Sequence, residues 1–77
     1  MKVNAGTFVG SIYSQAVSVT VTDIDVTIEF IYINPRDKAG QLVSRVTLPR
    51  KAGEELAKTI LTTVKIHESK KKGEEKN

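Results

Sequence analysis

The chain has 77 residues, which is enough for one small domain with a hydrophobic core of marginal size. It contains no cysteine, and this excludes disulfides, cysteine-based metal sites and thiol catalysis. The formal net charge is +3 and is uneven along the chain: one lysine against three acidic residues gives −2 for residues 1–33, whereas eleven basic against six acidic residues give +5 for residues 34–77.

The first segments in chain order are strand-like. Residues 7–13 allow a short strand in which Gly10 marks a bulge or a weak point, so the sheet has three or four strands in all. Residues 17–22 alternate between valine and serine or threonine, which predicts a half-buried strand with its valines facing inward. A tight turn follows at residues 22–25, because aspartate side chains accept hydrogen bonds from the nearby backbone.

Residues 25–33 are the most informative segment, because this predicted strand becomes apolar on both faces. One face carries Val26, Ile28, Phe30 and Tyr32. The other face carries Thr27, Glu29, Ile31 and Ile33. Only one good helix follows in the sequence, and one helix can cover only one face of a sheet. We therefore expect something outside the chain to cover the second face.

A loop and a further strand follow. Residues 34–40 predict a loop, since proline cannot pair in a sheet and glycine permits a positive φ. Residues 41–48 return as a strand. One face of this strand carries Leu42, Val46 and Leu48, and the other carries Gln41, Val43, Arg45 and Thr47. Pro49 suits the first position of a helix, where its missing N–H costs nothing.

A helical pattern extends from Pro49 to about Ile66. Its apolar stripe consists of Ala52, Leu56, Ile60 and Val64, with an adjacent row of Gly53, Ala57 and Leu61. Gly53 is either a tolerated glycine in the first turn or a site of close backbone approach, to the sheet or to a second copy, and we favour close approach. The periodicity ends after Glu68, so we predict a domain of residues 1–68 and a flexible charged tail of residues 69–77.

The main candidates for a binding site are basic residues around the predicted loop, last strand and helix start. They are Arg36, Lys38, Arg45, Arg50 and Lys51. In an antiparallel sheet they form a stripe rather than a pocket, and a stripe suits a phosphodiester backbone. Aromatic side chains for base stacking are scarce, however, and a solvated charged surface explains these residues slightly better.

No pattern in the sequence predicts catalysis or a cofactor. His67 lies near the helix end without a nucleophile motif, and the acidic cluster of Asp23, Asp25 and Glu29 lacks the spacing of a calcium loop. We expect no enzymatic activity, no metal and no cofactor. We also find no pattern of a signal peptide or a membrane span, so we expect a cytoplasmic protein without a membrane partner.

Five stretches of the chain follow a shared pattern of strands, loop and helix. They are residues 25–30, Asn34-Pro35, residues 43–49, residues 55–60 and His67-Glu68. Through them, residues 17 to about 68 resemble a family of small uncharacterised prokaryotic domains, whereas residues 1–15 have no clear counterpart. The resemblance implies that Arg45 and the Leu48–Pro49 junction belong to the framework of the fold. It carries no functional residues, because the family has no established activity.

These observations predict an α+β fold, with an antiparallel meander of three to four strands followed by one C-terminal amphipathic helix and a charged tail. We predict a homodimer or higher oligomer that binds or scaffolds other proteins. The expected interface residues are Ile31, Ile33, Val43 and Leu61. The alternative is a nucleic-acid-binding module that uses the basic stripe.

Overall fold

The computed structural model describes residues 1–4, 6 and 10–75, and these residues have the predicted α+β fold. The elements are β1 (Ala16–Val21), β2 (Asp25–Ile33), β3 (Gly40–Pro49) and α1 (Arg50–Glu75). The strands pair antiparallel in the order β1-β2-β3. The meander followed by a C-terminal helix is therefore confirmed.

The segment before β1 forms no fourth strand where the structure describes it. Residues 7–9 of the predicted strand 7–13 lie outside the described residues, and residues 10–13 have no strand structure. Ser14 and Gln15 attach this segment to the end of β2. The Ser14 hydroxyl lies 2.8 Å from the carbonyl oxygen of Ile31. The Gln15 side-chain amide donates to the backbone of Ile33 at 3.1 Å and accepts from it at 3.0 Å.

The β1–β2 turn is closed by a threonine rather than by the aspartates. The backbone N–H of Thr22 donates to the carbonyl oxygen of Asp25 at 2.9 Å. Thr22 Oγ1 accepts from the N–H groups of Ile24 and Asp25, at 3.2 and 3.0 Å, and lies 2.7 Å from Asp25 Oδ1, to which it donates. The predicted turn is thus confirmed, but a hydroxyl at its first position binds the amides in place of a carboxylate.

A β-bulge in β3 changes which side chains share a face. Phe30 pairs with Ser44, but Ile31 pairs with Leu42, so Val43 is the extra residue. Leu42 consequently lies on the face of Ile31, away from the helix, whereas strict alternation predicted it on the helix side. Val43 turns instead toward the helix side, next to Phe30 and Ser44.

The β2–β3 loop is held by its own side chains. Asn34 Oδ1 and Asp37 Oδ1 each accept a hydrogen bond of 2.9 Å from the backbone N–H two residues later. The residue with a positive φ, 62°, is Lys38 and not Gly40, where the sequence predicts it. Gly40 instead begins β3 in a tight position, where an added Cβ would lie 3.2 Å from Cγ2 of Ile31.

Helix α1 follows β3 without a loop. Pro49 ends the strand, and the N–H of Arg50 donates to the carbonyl oxygen of Ile24 in the β1–β2 turn at 3.0 Å. The helix continues to Glu75, whereas the apolar periodicity predicts an end near Ile66. Its last turns are rich in lysine, which is a good helix former and a favourable cation near the negative end of the helix dipole.

The core between α1 and the sheet is very small. An added Cβ on Gly53 would lie 2.6 Å from Cγ2 of Val26, so the helix backbone rests directly on this side chain, in agreement with the predicted close approach. Val26, at 8% exposed, is the only buried residue in the described part of the chain. The radius of gyration is 16.4 Å, whereas a compact domain of this length has about 11–12 Å. The chain is therefore less compact than a typical domain of its length.

Candidate functional site: an apolar groove

A groove of about 440 Å³ opens between α1 and the sheet. The sheet contributes Val17, Val19, Val26, Ile28 and Phe30, and the helix contributes Gly53, Leu56, Ala57 and Ile60. The β1 valines share this face with the β2 residues because they lie directly opposite them in the ladder. All nine lining residues are apolar, so the groove is suited to bind apolar side chains and offers no side-chain acid, base or nucleophile.

The groove is open because the helix covers only part of the sheet. Helix α1 packs mainly on β2 and β3, where Gly53 meets Val26. On β1, Val17, Val19 and Val21 face the helix side as predicted, yet they are 58%, 54% and 56% exposed. An α-helix is about 10 Å wide and strands lie about 4.8 Å apart, so one helix covers about two strands and leaves the third bare.

The opposite face of the sheet is polar along most of its length. The hydroxyls of Thr27 and Thr47 lie 2.9 Å apart across β2 and β3. Beside them Arg45 donates through Nε and Nη2 to the same carboxylate oxygen of Glu29, at 2.9 and 2.7 Å. The two faces of the sheet therefore differ: hydroxyls and an ion pair lie on one, and uncovered valines lie on the other.

The four predicted interface residues do not lie on one surface. Ile31 and Ile33 are half-buried on the face away from the helix. Val43, the bulge residue, lines a smaller cavity of about 220 Å³ near Phe30 on the helix side. Leu61 is 62% exposed on the helix, at the margin of the groove. An interface through these residues stays a prediction, and the groove is the larger apolar surface.

The groove is the feature that sequence reasoning missed. Its lining side chains were predicted to point inward, but they were assigned to a core closed by the helix of the same chain. The width of a three-stranded sheet compared with that of one helix could have predicted the groove, because the sheet is broader than the helix that covers it. The face that lacks a cover is thus the helix side itself, at β1.

The five basic residues predicted to form a stripe extend from one end of the strands to the other. In chain order they are Arg36, Lys38, Arg45, Arg50 and Lys51. The first two lie in the loop after β2 and the last two begin α1 at the other end of the strands, about 26 Å away for a strand of nine residues. Arg45 forms the ion pair with Glu29, and Arg50 lies 3.6 Å from Glu54. This arrangement adds no support to the prediction of nucleic-acid binding.

Within residues 1–4, 6 and 10–75, no three histidine, aspartate or glutamate side chains are grouped so that they could hold a metal ion. No helix in the same part of the chain is long and apolar enough to cross a membrane. His67 is exposed on α1.

Comparison with known families gives one match. Residues 2–73 match a family model whose description reads "Protein of unknown function (DUF3467)". This confirms the resemblance noted for residues 17–68, and it extends to the N-terminal segment for which the sequence had shown no clear counterpart. Comparisons with curated proteins and with solved structures found no match.

Proposed function

Because the chain belongs to the DUF3467 family of proteins of unknown function, we propose its function from the groove. The domain is a homo-oligomeric module that completes its core by associating with a second copy and then binds or scaffolds another protein. The observation that carries this proposal is that Val26 is the one buried residue among those described and lies beneath a groove lined by nine apolar residues. Small domains with so little buried surface need a partner to be stable.

The exposed apolar surface is large enough for a dimer. Eight aliphatic side chains on the helix side are between 38% and 62% exposed: Val17, Val19, Val21, Val46, Leu56, Ile60, Leu61 and Val64. At roughly 100 Å² for a fully exposed aliphatic side chain, they supply about 400 Å² per copy. A standard interface buries about 800 Å² per partner, of which somewhat more than half is apolar. The groove side therefore provides nearly all of the apolar surface that a stable dimer needs.

A second surface stays available after self-association. Ile31 and Ile33 lie on the opposite face, next to Leu42, which is 45% exposed. This smaller apolar patch is bordered by the threonines and the Glu29–Arg45 ion pair, a combination typical of sites that bind proteins reversibly. We assign the scaffolding role to this patch and propose a non-enzymatic module. We also propose a cytoplasmic location, since a chain without cysteine does not require an oxidising compartment.

Light scattering over a wide range of protein and salt concentration tests the self-association. We expect a dimer or a higher oligomer whose mass does not fall as salt rises, because apolar burial is not screened. Ile60→Asp places a charge in the groove and is expected to reduce the mass to that of a single chain. Lys58→Asp is the matched control, since Lys58 is exposed on the opposite side of the same helix.

Two outcomes would contradict the proposal. A parent chain that is folded and monomeric at every concentration shows that the groove is not a self-association surface. An Ile60→Asp variant that associates like Lys58→Asp shows that the association uses another surface. Binding of single-stranded nucleic acid that weakens steeply with added salt would favour the alternative module instead.

A further inference from the structure

The two outer strands of the sheet have edges of opposite character. On β3 after the bulge, the residues whose backbone groups point away from β2 are Arg45, Thr47 and Pro49. A charged side chain, a proline without an N–H and the bulge at Val43 all discourage pairing with another strand. Strand β1, from Ala16 to Val21, contains no charged residue, no proline and no bulge in its ladder. Only β1 thus has an edge without these protective features.

The unpaired backbone groups of β1 belong to its valines. The N–H of Thr22 donates to the carbonyl oxygen of Asp25, so these two residues form a hydrogen-bonded pair. Such pairs alternate along an antiparallel ladder, which directs the even-numbered residues of β1 toward β2. The N–H and C=O groups of Val17, Val19 and Val21 therefore point outward. Their side chains are the same ones left bare beside the groove.

We propose that the second copy docks by antiparallel pairing of β1 with β1, which joins the two sheets into one sheet of six strands. This inference rests on the self-association proposed above and specifies its geometry. With the two-fold axis at Val19, each Val19 pairs with its equivalent and each Val17 pairs with Val21 of the other copy. All outward groups of both strands are then used, in about six backbone hydrogen bonds. The contact is self-complementary and closes after two copies.

This pairing also joins the two grooves into one and packs the β1 valines of one copy against those of the other. A two-fold axis perpendicular to the sheet keeps both helices on the same side, and it brings the valines of both β1 strands together in the middle of the joined sheet. Leu56 and Ile60 of each helix border this central strip. On the other face, Ser18 of one copy lies opposite Thr20 of the second, and paired hydroxyls are favourable across neighbouring strands.

Cysteine cross-linking tests the geometry, because the natural chain has no cysteine. In the proposed register, positions 18 and 20 of opposite copies are about 4.5 Å apart between Cα atoms, which a disulfide can bridge. We expect the full-length Ser18→Cys/Thr20→Cys variant to run mainly as a covalent dimer on a non-reducing gel after mild oxidation. Within one copy, the two cysteines are two residues apart on the same strand, which is too far for a disulfide between them.

The matched control is Arg45→Cys/Thr47→Cys on the outer edge of β3. These positions flank the same β2 residues, Glu29 and Thr27, as Ser18 and Thr20 do from the other side. They are exposed and have the same spacing, yet they lie on the protected edge. We expect this variant to remain mostly a single chain under the same oxidation.

A proline variant gives a second readout. Val19→Pro removes an outward N–H without removing a bond to β2, and we expect it to raise the dissociation constant of the dimer at least tenfold. Thr47→Pro removes an outward N–H from β3 and is expected to leave association unchanged. One contrary result is an oligomer, found by light scattering, in which the β1 cysteines do not cross-link and Val19→Pro associates like the parent. That result would contradict the β1 pairing but not the self-association. A parent chain that stays monomeric overturns both.

Discussion

The two ends of the contact between helix and sheet are packed very differently. At the end where α1 begins, Gly53 brings the helix backbone onto Val26, and Arg50 is hydrogen-bonded to the β1–β2 turn. At the other end, Ile60 and Val17 line an open groove and are 53% and 58% exposed. The first end holds the one buried residue of the described chain, Val26, whereas the second end is lined by apolar side chains that are more than half exposed. We propose that the first end specifies the fold of one copy and that the second end is the surface used for assembly.

The largest effect is expected from Gly53→Ala, which breaks the packed end. The new methyl group would lie 2.6 Å from Cγ2 and 2.8 Å from Cβ of Val26, so the helix must move away. Overpacking of this kind costs about 1–3 kcal/mol, which exceeds the gain of up to about 1 kcal/mol from helix propensity. The measurement is the urea midpoint at fixed protein concentration, because association contributes to the apparent stability.

A double variant checks the cause of that loss. Val26→Ala removes the two Cγ atoms that the new methyl group would approach to 2.6 and 3.4 Å but retains Cβ at 2.8 Å, so it relieves part of the overlap. Gly53→Ala should therefore cost less in the Val26→Ala background than in the parent. Equal costs in both backgrounds would show that the close approach of helix and sheet is not the reason for the glycine.

A moderate effect is expected from Thr22→Val, also at the packed end. The substitution keeps the shape of the side chain but removes the hydroxyl that accepts hydrogen bonds from Ile24 and Asp25. We expect a loss of about 1 kcal/mol in the free energy of unfolding. Thr22→Ser retains the hydroxyl and should lose less than half as much. The turn chemistry described above is incorrect if the serine and valine variants unfold at the same urea concentration.

The smallest effect is expected at the open end, where Lys38 holds a φ of 62° in the β2–β3 loop. Asparagine tolerates this conformation better than lysine, so Lys38→Asn should raise the free energy of unfolding by about 0.5 kcal/mol. Lys38→Val is the opposing control and should lower it. Neither change should alter the mass in solution, and a change in oligomeric state would show that the loop takes part in the assembly.

The individual elements could be predicted well from the sequence because each has a local signal. Alternating valines identify β1, and the apolar residues of β2 identify the central strand. Pro49 marks the passage from β3 to the helix within one residue. The end of α1 was predicted too early, since apolar periodicity reports packing, whereas the helix continues through turns without an apolar stripe that are rich in lysine, a good helix former.

The parts that could not be predicted depend on how elements meet. The bulge that exchanges the faces of Leu42 and Val43 arises from the pairing of β3 with β2. The alternation of residues along β3 alone does not predict it. Likewise, the apolar stripe of the helix does not reveal how many strands it covers. The groove therefore had to be found in the structure, although every side chain lining it had been recognised as apolar.

The direct passage from Pro49 to Arg50 has a mechanical consequence. With no loop between β3 and α1, and with Arg50 hydrogen-bonded to Ile24, the direction of the whole helix is determined at one joint. The helix lines the groove as far as Ile60, about 15 Å from the joint, so a rotation of about 10° there moves this part of the groove wall by about 3 Å. Residues close to the β1–β2 turn consequently control how wide the groove opens at a distance, although none of them lines its open end.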